Sequence, residues 1–193
     1  MVLISGKWYV APLDLNGGVM LPFFIIIFLV MLFKQIKNKN IYWKKLLINI
    51  LYLIYLWLLL DITLFPIFLF PHNMTPYTFG LGRQVFINLQ FNALQDYLPL
   101  QVIGNILLLA PLSFFMAVFK QKYTYFWNNL FLMFLCTLSI ETAQLIMSFF
   151  YLGNRTFDVN DLLLNTTGSI LGFIFFKLTD HFFSKEILEV RSN

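Results

Sequence analysis

Long apolar runs dominate this chain, and polar residues collect in the stretches between them. A membrane-spanning helix needs about 20 apolar residues, and a helix pairs its backbone polar groups internally where no water is available. Five runs meet this need, alone or with their flanks. The first can begin as early as Leu13, and the third contains Pro111. We predict spanning helices at about 19–33, 46–70, 102–119, 126–152 and 161–178.

Composition supports a membrane protein over a soluble one. Of the 193 residues, 60% are hydrophobic and 11% are charged, whereas a typical soluble domain has about 25% charged residues. The length fits one membrane domain over 1–193 with no room for a second. We therefore predict an all-α, multi-pass helical bundle whose partner is the lipid bilayer and not nucleic acid. The sequence does not indicate an oligomeric state.

Cysteine and histidine argue against redox and zinc chemistry. Cys136 is the single cysteine and lies inside an apolar run, so no internal disulfide forms. His72 and His181 are far apart in sequence, which disfavours a Cys/His zinc site. We expect no cofactor. The first 18 residues lack a basic region that leads into a short apolar core, so we expect no cleavable signal peptide.

The placement of Lys and Arg predicts the orientation. If five helices alternate, one side of the membrane carries ten of the 13 basic residues: Lys34, Lys37, Lys39, Lys44, Lys45, Lys120, Lys122, Lys177, Lys185 and Arg191. The other side carries only Lys7, Arg83 and Arg155. Cytoplasmic loops are enriched in Lys and Arg. We predict an external N-terminus and a cytoplasmic C-terminus in a bacterial cell membrane.

The external loop over 71–101 is long for so small a protein and contains several Pro and Gly turn signals. Between Val85 and Leu98, apolar and polar residues alternate with a moderately helical period. We predict a short amphipathic helix here that lies in, or re-enters, the outer interface.

Two polar stripes run along the last two predicted helices. Residues three or four apart share a helix face. The stripe of the fourth helix is Thr137, Glu141, Gln144 and Ser148. The stripe of the fifth begins before it and is Asp158, Asp161, Asn165, Gly168 and Gly172. The two helices are antiparallel neighbours, so their polar faces can meet, with Arg155 placed to bridge a carboxylate in a forked geometry.

Depth along the helices brings further polar residues to the same region. With a rise of about 1.5 Å per residue, Glu141 lies near mid-membrane, and Asn165 lies a turn or two below the outer surface. Asn105 and Asp61 lie in the outer half of their helices. Charges at such depth are costly. The pattern predicts a polar chamber open to the outside, with Asp61 as a secondary member.

Structural roles compete with function for most of these residues. A hydrogen-bonding link between helices would be enough to explain Asn105. The pair Gly168 and Gly172 favours close helix packing. Asp158 can be the N-cap of the last helix, with Asp161 in its first turn. Thr137 and Ser148 can bond back to their own helix. Glu141 most needs another explanation, because a mid-membrane carboxylate requires a partner or a proton.

Three segments resemble the VanZ-like family of membrane proteins. The run from Gly104 to Leu112 resembles its N-x-x-x-F-x-P-x-G segment, with Ser113 in place of Gly. The run from Ser139 to Gln144 resembles its S-x-x-E-x-x-Q segment, with one residue fewer between Ser and Glu. The series Arg155, Asp158, Asp161, Asn165, Gly168 and Gly172 is similar to its R-x-x-D-x-x-D-x-x-x-N-x-x-G-x-x-x-G signature. Residues 87–91 are similar to N-L-x-P-F without its proline. The resemblance covers about 88–176.

The resemblance implies a small multi-pass protein associated with accessory resistance to teicoplanin-type glycopeptides, or with another envelope function. The first hypothesis is a non-catalytic factor that binds a lipoglycopeptide or a lipid-linked cell-wall precursor at the outer leaflet. Its polar cluster would be Asn105, Glu141, Gln144, Arg155, Asp158, Asp161 and Asn165.

Two alternatives remain open. An enzyme acting on a lipid or wall intermediate could hold a divalent cation through Glu141, Asp158 and Asp161. However, the sequence contains no nucleophile with an adjacent base and no phosphate loop, which argues against catalysis. A small transporter could relay protons through the buried carboxylates, but five helices without an internal repeat are few for one.

Overall fold

The computed structural model describes residues 1–4, 6–37, 42–83, 86–92 and 97–192. Within these ranges, five helical segments are long and apolar enough to cross a membrane, which confirms the predicted all-α multi-pass bundle. The helices are α1 (Leu21–Lys37), α2 (Trp43–Leu64), α3 (Thr75–Thr78), α4 (Pro99–Leu108), α5 (Ala110–Phe119), α6 (Phe126–Phe149) and α7 (Val159–Ser192). Helix α3 is a single turn, and α4 with α5 forms the third span. Two 3-10 turns, Gly17–Met20 and Gln121–Thr124, precede α1 and α6.

The second span is shorter than its apolar run suggests. We predicted a helix as far as Phe70, but α2 ends at Leu64. Pro66 explains the end, because proline lacks an N–H to donate and disfavours helical geometry in the residue before it. The chain continues as a strand at Ile67–Leu69.

The third span is interrupted where the sequence carries Pro111. Helix α4 ends at Leu108, and α5 begins at Ala110. Pro111 has no N–H to offer to the carbonyl of Leu107, so the helical ladder breaks there.

The last span is longer than predicted. Helix α7 runs from Val159 to Ser192, with a kink at Phe183. Beyond the kink, Ile187 and Val190 pack into a core with Phe173 and Phe176. Arg191 donates to the backbone carbonyls of Ala117 (2.8 Å) and Val118 (3.2 Å), so the end of α7 is held against the end of α5.

Three pairs of short strands join the loops. Strands β1 (Val2–Ile4) and β2 (Lys7–Tyr9) are antiparallel, and so are β3 (Leu13–Leu15) and β4 (Ile67–Leu69). Strands β5 (Phe86–Asn88) and β6 (Thr156–Asp158) are parallel, with Asn88 opposite Asp158. The predicted interfacial helix is therefore wrong for 86–88, whose backbone pairs with β6. The rest of that prediction falls partly on 84–85 and 93–96, which lie outside the described residues.

Two glycines bring α7 against the third span. A Cβ placed on Gly168 would lie 1.6 Å from the carbonyl oxygen of Ile106, and one on Gly172 would lie 1.9 Å from that of Ala110. The sequence predicted close helix packing at these two glycines. Only glycine permits backbones to approach this closely, so this contact fixes α4 and α5 against α7.

Candidate functional site

A polar cavity of about 690 Å³ lies between α2, α4, α6 and the beginning of α7. The loop before α7 and residues from the 86–97 region complete it. Its lining is Ile62, Thr63, Asn88, Tyr97, Gln101, Gly104, Asn105, Leu108, Ile140, Glu141, Gln144, Asn154, Arg155, Thr156, Asp158, Asp161 and Asn165. All seven residues of the primary polar cluster predicted from the sequence are therefore found around one cavity.

Asp61, the secondary candidate, lies elsewhere. Its Oδ1 accepts a hydrogen bond from the backbone N–H of Gly17 (2.8 Å), and Trp57 donates to the carbonyl of Gly17 (2.9 Å). A Cβ on Gly17 would lie 2.0 Å from that same carboxylate oxygen. Asp61 thus positions the start of the first span and does not line the cavity. The sequence predicted that Asp61 lies in the outer half of the membrane, but it did not predict to which side of α2 the Asp61 side chain points.

Asp158 caps the last helix and organises one end of the cavity. Its Oδ1 accepts from the backbone N–H of Asn160 (2.8 Å), the bond that an N-cap residue makes. Its Oδ2 accepts from the Asn88 side chain (2.9 Å). Burial favours the neutral acid, but hydrogen bonds from Tyr97, Asn88 and Asn160 outweigh burial and hold the pKa of Asp158 below its ordinary value. The carboxylate is therefore ionised near neutral pH.

Tyr97 stands between two carboxyl groups. Its hydroxyl bonds to Asp158 and Asp161. Burial, followed by the hydrogen bond to Asp158, raises the pKa of Tyr97 well above its ordinary value, so the hydroxyl keeps its proton and remains a donor. Asp161 also accepts from the side chain of Asn105, which links α4 to the first turn of α7.

Glu141 connects α6 to the loop before α7. It is only 2% exposed, and its Oε2 accepts a hydrogen bond from the backbone N–H of Asp158 (3.1 Å). The carboxyl group thus pairs one of the backbone donors left free where α7 begins. Its place in the cavity wall leaves it in reach of any bound molecule.

Arg155 does not pair with the acidic residues as the sequence suggested. In the described part of the chain, no ion pair joins it to Glu141, Asp158 or Asp161. Its Nη2 instead donates to the carbonyls of Ile62 (3.1 Å) and Phe65 (3.0 Å). The physical reason lies at the end of α2. The carbonyl of Ile62 would normally accept from residue 66, but that residue is a proline and has no N–H.

Gln144 supports the same helix end. Its Nε2 donates to the carbonyl of Thr63 (2.8 Å). Thr63 is the residue before the last residue of α2. Two predicted site residues, Gln144 and Arg155, thus satisfy backbone carbonyls while lining the cavity.

Asn165 offers an unused acceptor deep in the site. It is 1% exposed, and its Nδ2 donates to Oγ1 of Thr137 (3.0 Å). Its Oδ1 is buried without a hydrogen-bond partner among the described residues. An unpaired buried acceptor costs free energy. The site therefore accommodates one additional donor at this position.

Sequence reasoning missed several residues of the site. Tyr97 carried no helical or strand spacing that would reveal its direction, and Asn160, in the first turn of α7, does not belong to the predicted polar stripe. Asn88 was visible only within the motif similar to N-L-x-P-F. Ser148 was expected to bond to its own helix, but its hydroxyl donates to the carbonyl of Arg155 (2.6 Å) and accepts from the N–H of Arg155 (3.0 Å). It therefore fixes the loop that carries the arginine.

The carboxyl groups do not form the cation site that was considered. Over the described ranges, no group of three or more His, Cys, Asp or Glu side chains is arranged to hold a metal ion. The hydrogen bonds explain the arrangement, because Glu141 and Asp158 are directed toward backbone N–H groups.

Comparison with known proteins agrees with the resemblance read from the motifs. The family model described as VanZ/LLP1 matches residues 21–180, which includes the three middle spans, most of the first and last spans, and the cavity lining. No curated protein and no solved structure matches significantly. Because the match extends over most of its length, this chain belongs to the VanZ/LLP1 family.

Proposed function

We propose that this protein binds the polar head of an amphipathic ligand, either a lipoglycopeptide or a lipid-linked cell-wall precursor, and thereby contributes to glycopeptide resistance or to envelope function. The observation that carries the proposal is the cavity of about 690 Å³ lined by Asn105, Glu141, Gln144, Arg155, Asp158, Asp161 and Asn165. Ligand pockets have volumes of about 300–1,000 Å³. Polar residues at membrane depth are costly and mark binding sites or pathways.

Unused hydrogen-bonding groups support a polar ligand. Among the described residues, no donor reaches Oδ1 of Asn165. Toward the described residues, Arg155 uses only Nη2 of its guanidinium, so Nε and Nη1 can bind an anionic group. The carboxyl group of Glu141 can accept from hydroxyl or amide donors. Sugars and peptides present such groups together.

The distribution of charge supports an external position of the cavity. Arg155 and the exposed Asn154 lie at one end of the bundle, where the sequence places few basic residues. Lys44, Lys45 and Lys120 lie at the opposite helix ends. With the lysine-rich end in the cytoplasm, the cavity faces the outer leaflet, where lipid-linked wall precursors and glycopeptides meet.

Replacing Glu141 by Gln tests the proposal. Gln is of the same size and keeps an oxygen that can accept from the N–H of Asp158, so the fold should persist while the charge is lost. In cells that carry this chain, we expect Glu141→Gln to reduce growth in teicoplanin to the level of the deletion, with normal protein abundance. Asp14→Asn, at an exposed carboxylate remote from the cavity, is the matched control and should leave growth unchanged. If Glu141→Gln grows like the parent, the cavity is not the site of resistance.

Orientation can be measured with cysteine labelling. In a Cys136→Ala background, Asn154→Cys should react with a membrane-impermeant maleimide added to intact cells, because Asn154 is exposed at the mouth of the cavity. Lys122→Cys, an exposed control position near the opposite ends of the helices, should react only after the cells are opened. The reverse pattern would place the cavity in the cytoplasm and reject an outer-leaflet ligand.

A further inference from the structure

The wall of the cavity between α2 and α4 carries residues that are also exposed. Ile62 on α2 is 60% exposed although it lines the cavity. Opposite it, Gln101 and Gly104 on α4 are also exposed and also line the cavity. Exposed residues on two membrane-spanning helices that also line the cavity indicate a gap in its wall between those helices.

The deep end of this gap is closed. The hydroxyl of Tyr55 donates to the carbonyl of Leu108 (2.8 Å) and joins α2 to α4. Tyr55 lies nine residues before the end of α2, and Leu108 lies nine residues after the start of α4. At about 1.5 Å of rise per residue, both are about 14 Å from the helix ends that border the cavity. The gap is therefore a cleft open along the half of the membrane that contains the cavity.

The sides of the cleft are held apart by contacts with other helices. Helix α4 packs against α7, where the backbone at Ile106 meets Gly168. The end of α2 is held by Gln144 and Arg155. Gly104 adds no side chain to the space between them, and a Cβ placed on it would meet nothing within 4 Å. Position 104 therefore adds no side chain that would narrow the cleft.

We propose that this cleft is a lateral portal through which the ligand enters from the bilayer, and that the ligand's hydrocarbon chain lies between Ile62 and Gly104 while its head occupies the cavity. This inference rests on the proposed function. The occupant follows from continuity, because Ile62, Gln101 and Gly104 line the polar cavity and are also exposed on membrane-spanning helices. A ligand that enters sideways keeps its chain in hydrocarbon throughout, which removes the cost of moving apolar surface through water.

The test is a bulky residue at the portal. Gly104→Trp fills open space, so the protein should fold, and Gly104→Leu is a second variant of smaller bulk. The matched control is Ile103→Trp, on the same helix at a side chain that is 52% exposed and outside the cavity lining. Binding of three probes to the purified protein in nanodiscs is measured: teicoplanin and a polyprenyl-linked wall precursor, which carry hydrocarbon chains, and vancomycin, which lacks one.

We expect Gly104→Trp to weaken binding of a chain-bearing probe by about tenfold or more, and Ile103→Trp to change it by less than about twofold. Which of the two probes binds identifies the source of the chain. If Gly104→Trp and Gly104→Leu bind it as the parent does, the portal is rejected while the proposed function stands. If the parent binds neither chain-bearing probe, the proposed function fails as well. Equal binding of vancomycin would show that no chain is needed and would also reject the portal.

Discussion

Replacing Gly168 by Ala should lower the free energy of unfolding by about 3 kcal/mol or more, at the upper end of the cost of overpacking. The added Cβ would lie 1.6 Å from the carbonyl oxygen of Ile106. The obstacle is backbone and not a flexible side chain, so α4 and α7 must move apart. We expect lower yield and a lower melting temperature in detergent, together with loss of ligand binding, because both helices line the cavity.

The matched control is Gly104→Ala, also on a helix of the bundle. Its Cβ meets nothing within 4 Å. Because Ala is favoured over Gly in helices by about 1 kcal/mol, this change should leave stability unaltered or raise it. If the Gly168 and Gly104 variants melt at the same temperature, α7 does not pack against the third span as described.

Replacing Arg155 by Ala should disrupt the end of α2 as well as the site. The guanidinium donates to the carbonyls of Ile62 and Phe65, and a hydrogen bond to a charged group contributes about 1.5–3 kcal/mol. We expect a loss of stability of about 2 kcal/mol, faster hydrogen exchange around residues 62–70, and loss of resistance.

Arg83→Ala serves as the control, because Arg83 is exposed and donates only to the carbonyl of Phe79, four residues away, among the described residues. It should change neither exchange near α2 nor growth in teicoplanin. Should Arg155→Ala abolish resistance while exchange over 62–70 stays as in the parent, the guanidinium would serve the ligand alone and the role at α2 would be rejected.

The sequence predicted what helix geometry determines. Apolar length set the number of spans, because the bilayer requires about 20 residues of helix. Spacing by three and four placed Glu141 with Gln144 on one face and Asp161 with Asn165 on another. Because the two helices are adjacent and antiparallel, we expected these faces to meet, and they form two sides of one cavity.

Partners that are backbone groups could not be foreseen in the same way. Charge alone suggested that Arg155 would bind a carboxylate, whereas it binds the carbonyl of Ile62, which Pro66 leaves without its helical donor, and the carbonyl of Phe65. Asp61 had the right depth but faces Gly17, because its angular position depends on how the first span packs. Tyr97 shares no helical or strand spacing in the sequence with the polar faces that it joins. The available signal was Pro66 at the end of α2, because a proline there leaves the carbonyl of Ile62 without its helical donor and open to a side chain such as Arg155.

The parallel pairing of β5 with β6 has a consequence for how the protein tolerates membranes of different thickness. Spanning helices respond to thickness by tilting. Asn88 and Asp158 are joined both through their strands and through their side chains, so the segment before the third span and the start of the last span are coupled. A change of tilt at this end should therefore move Asn88 and Asp158 together, and both residues line the cavity. The shape of the cavity at this end is therefore set by the backbone pairing of the two strands.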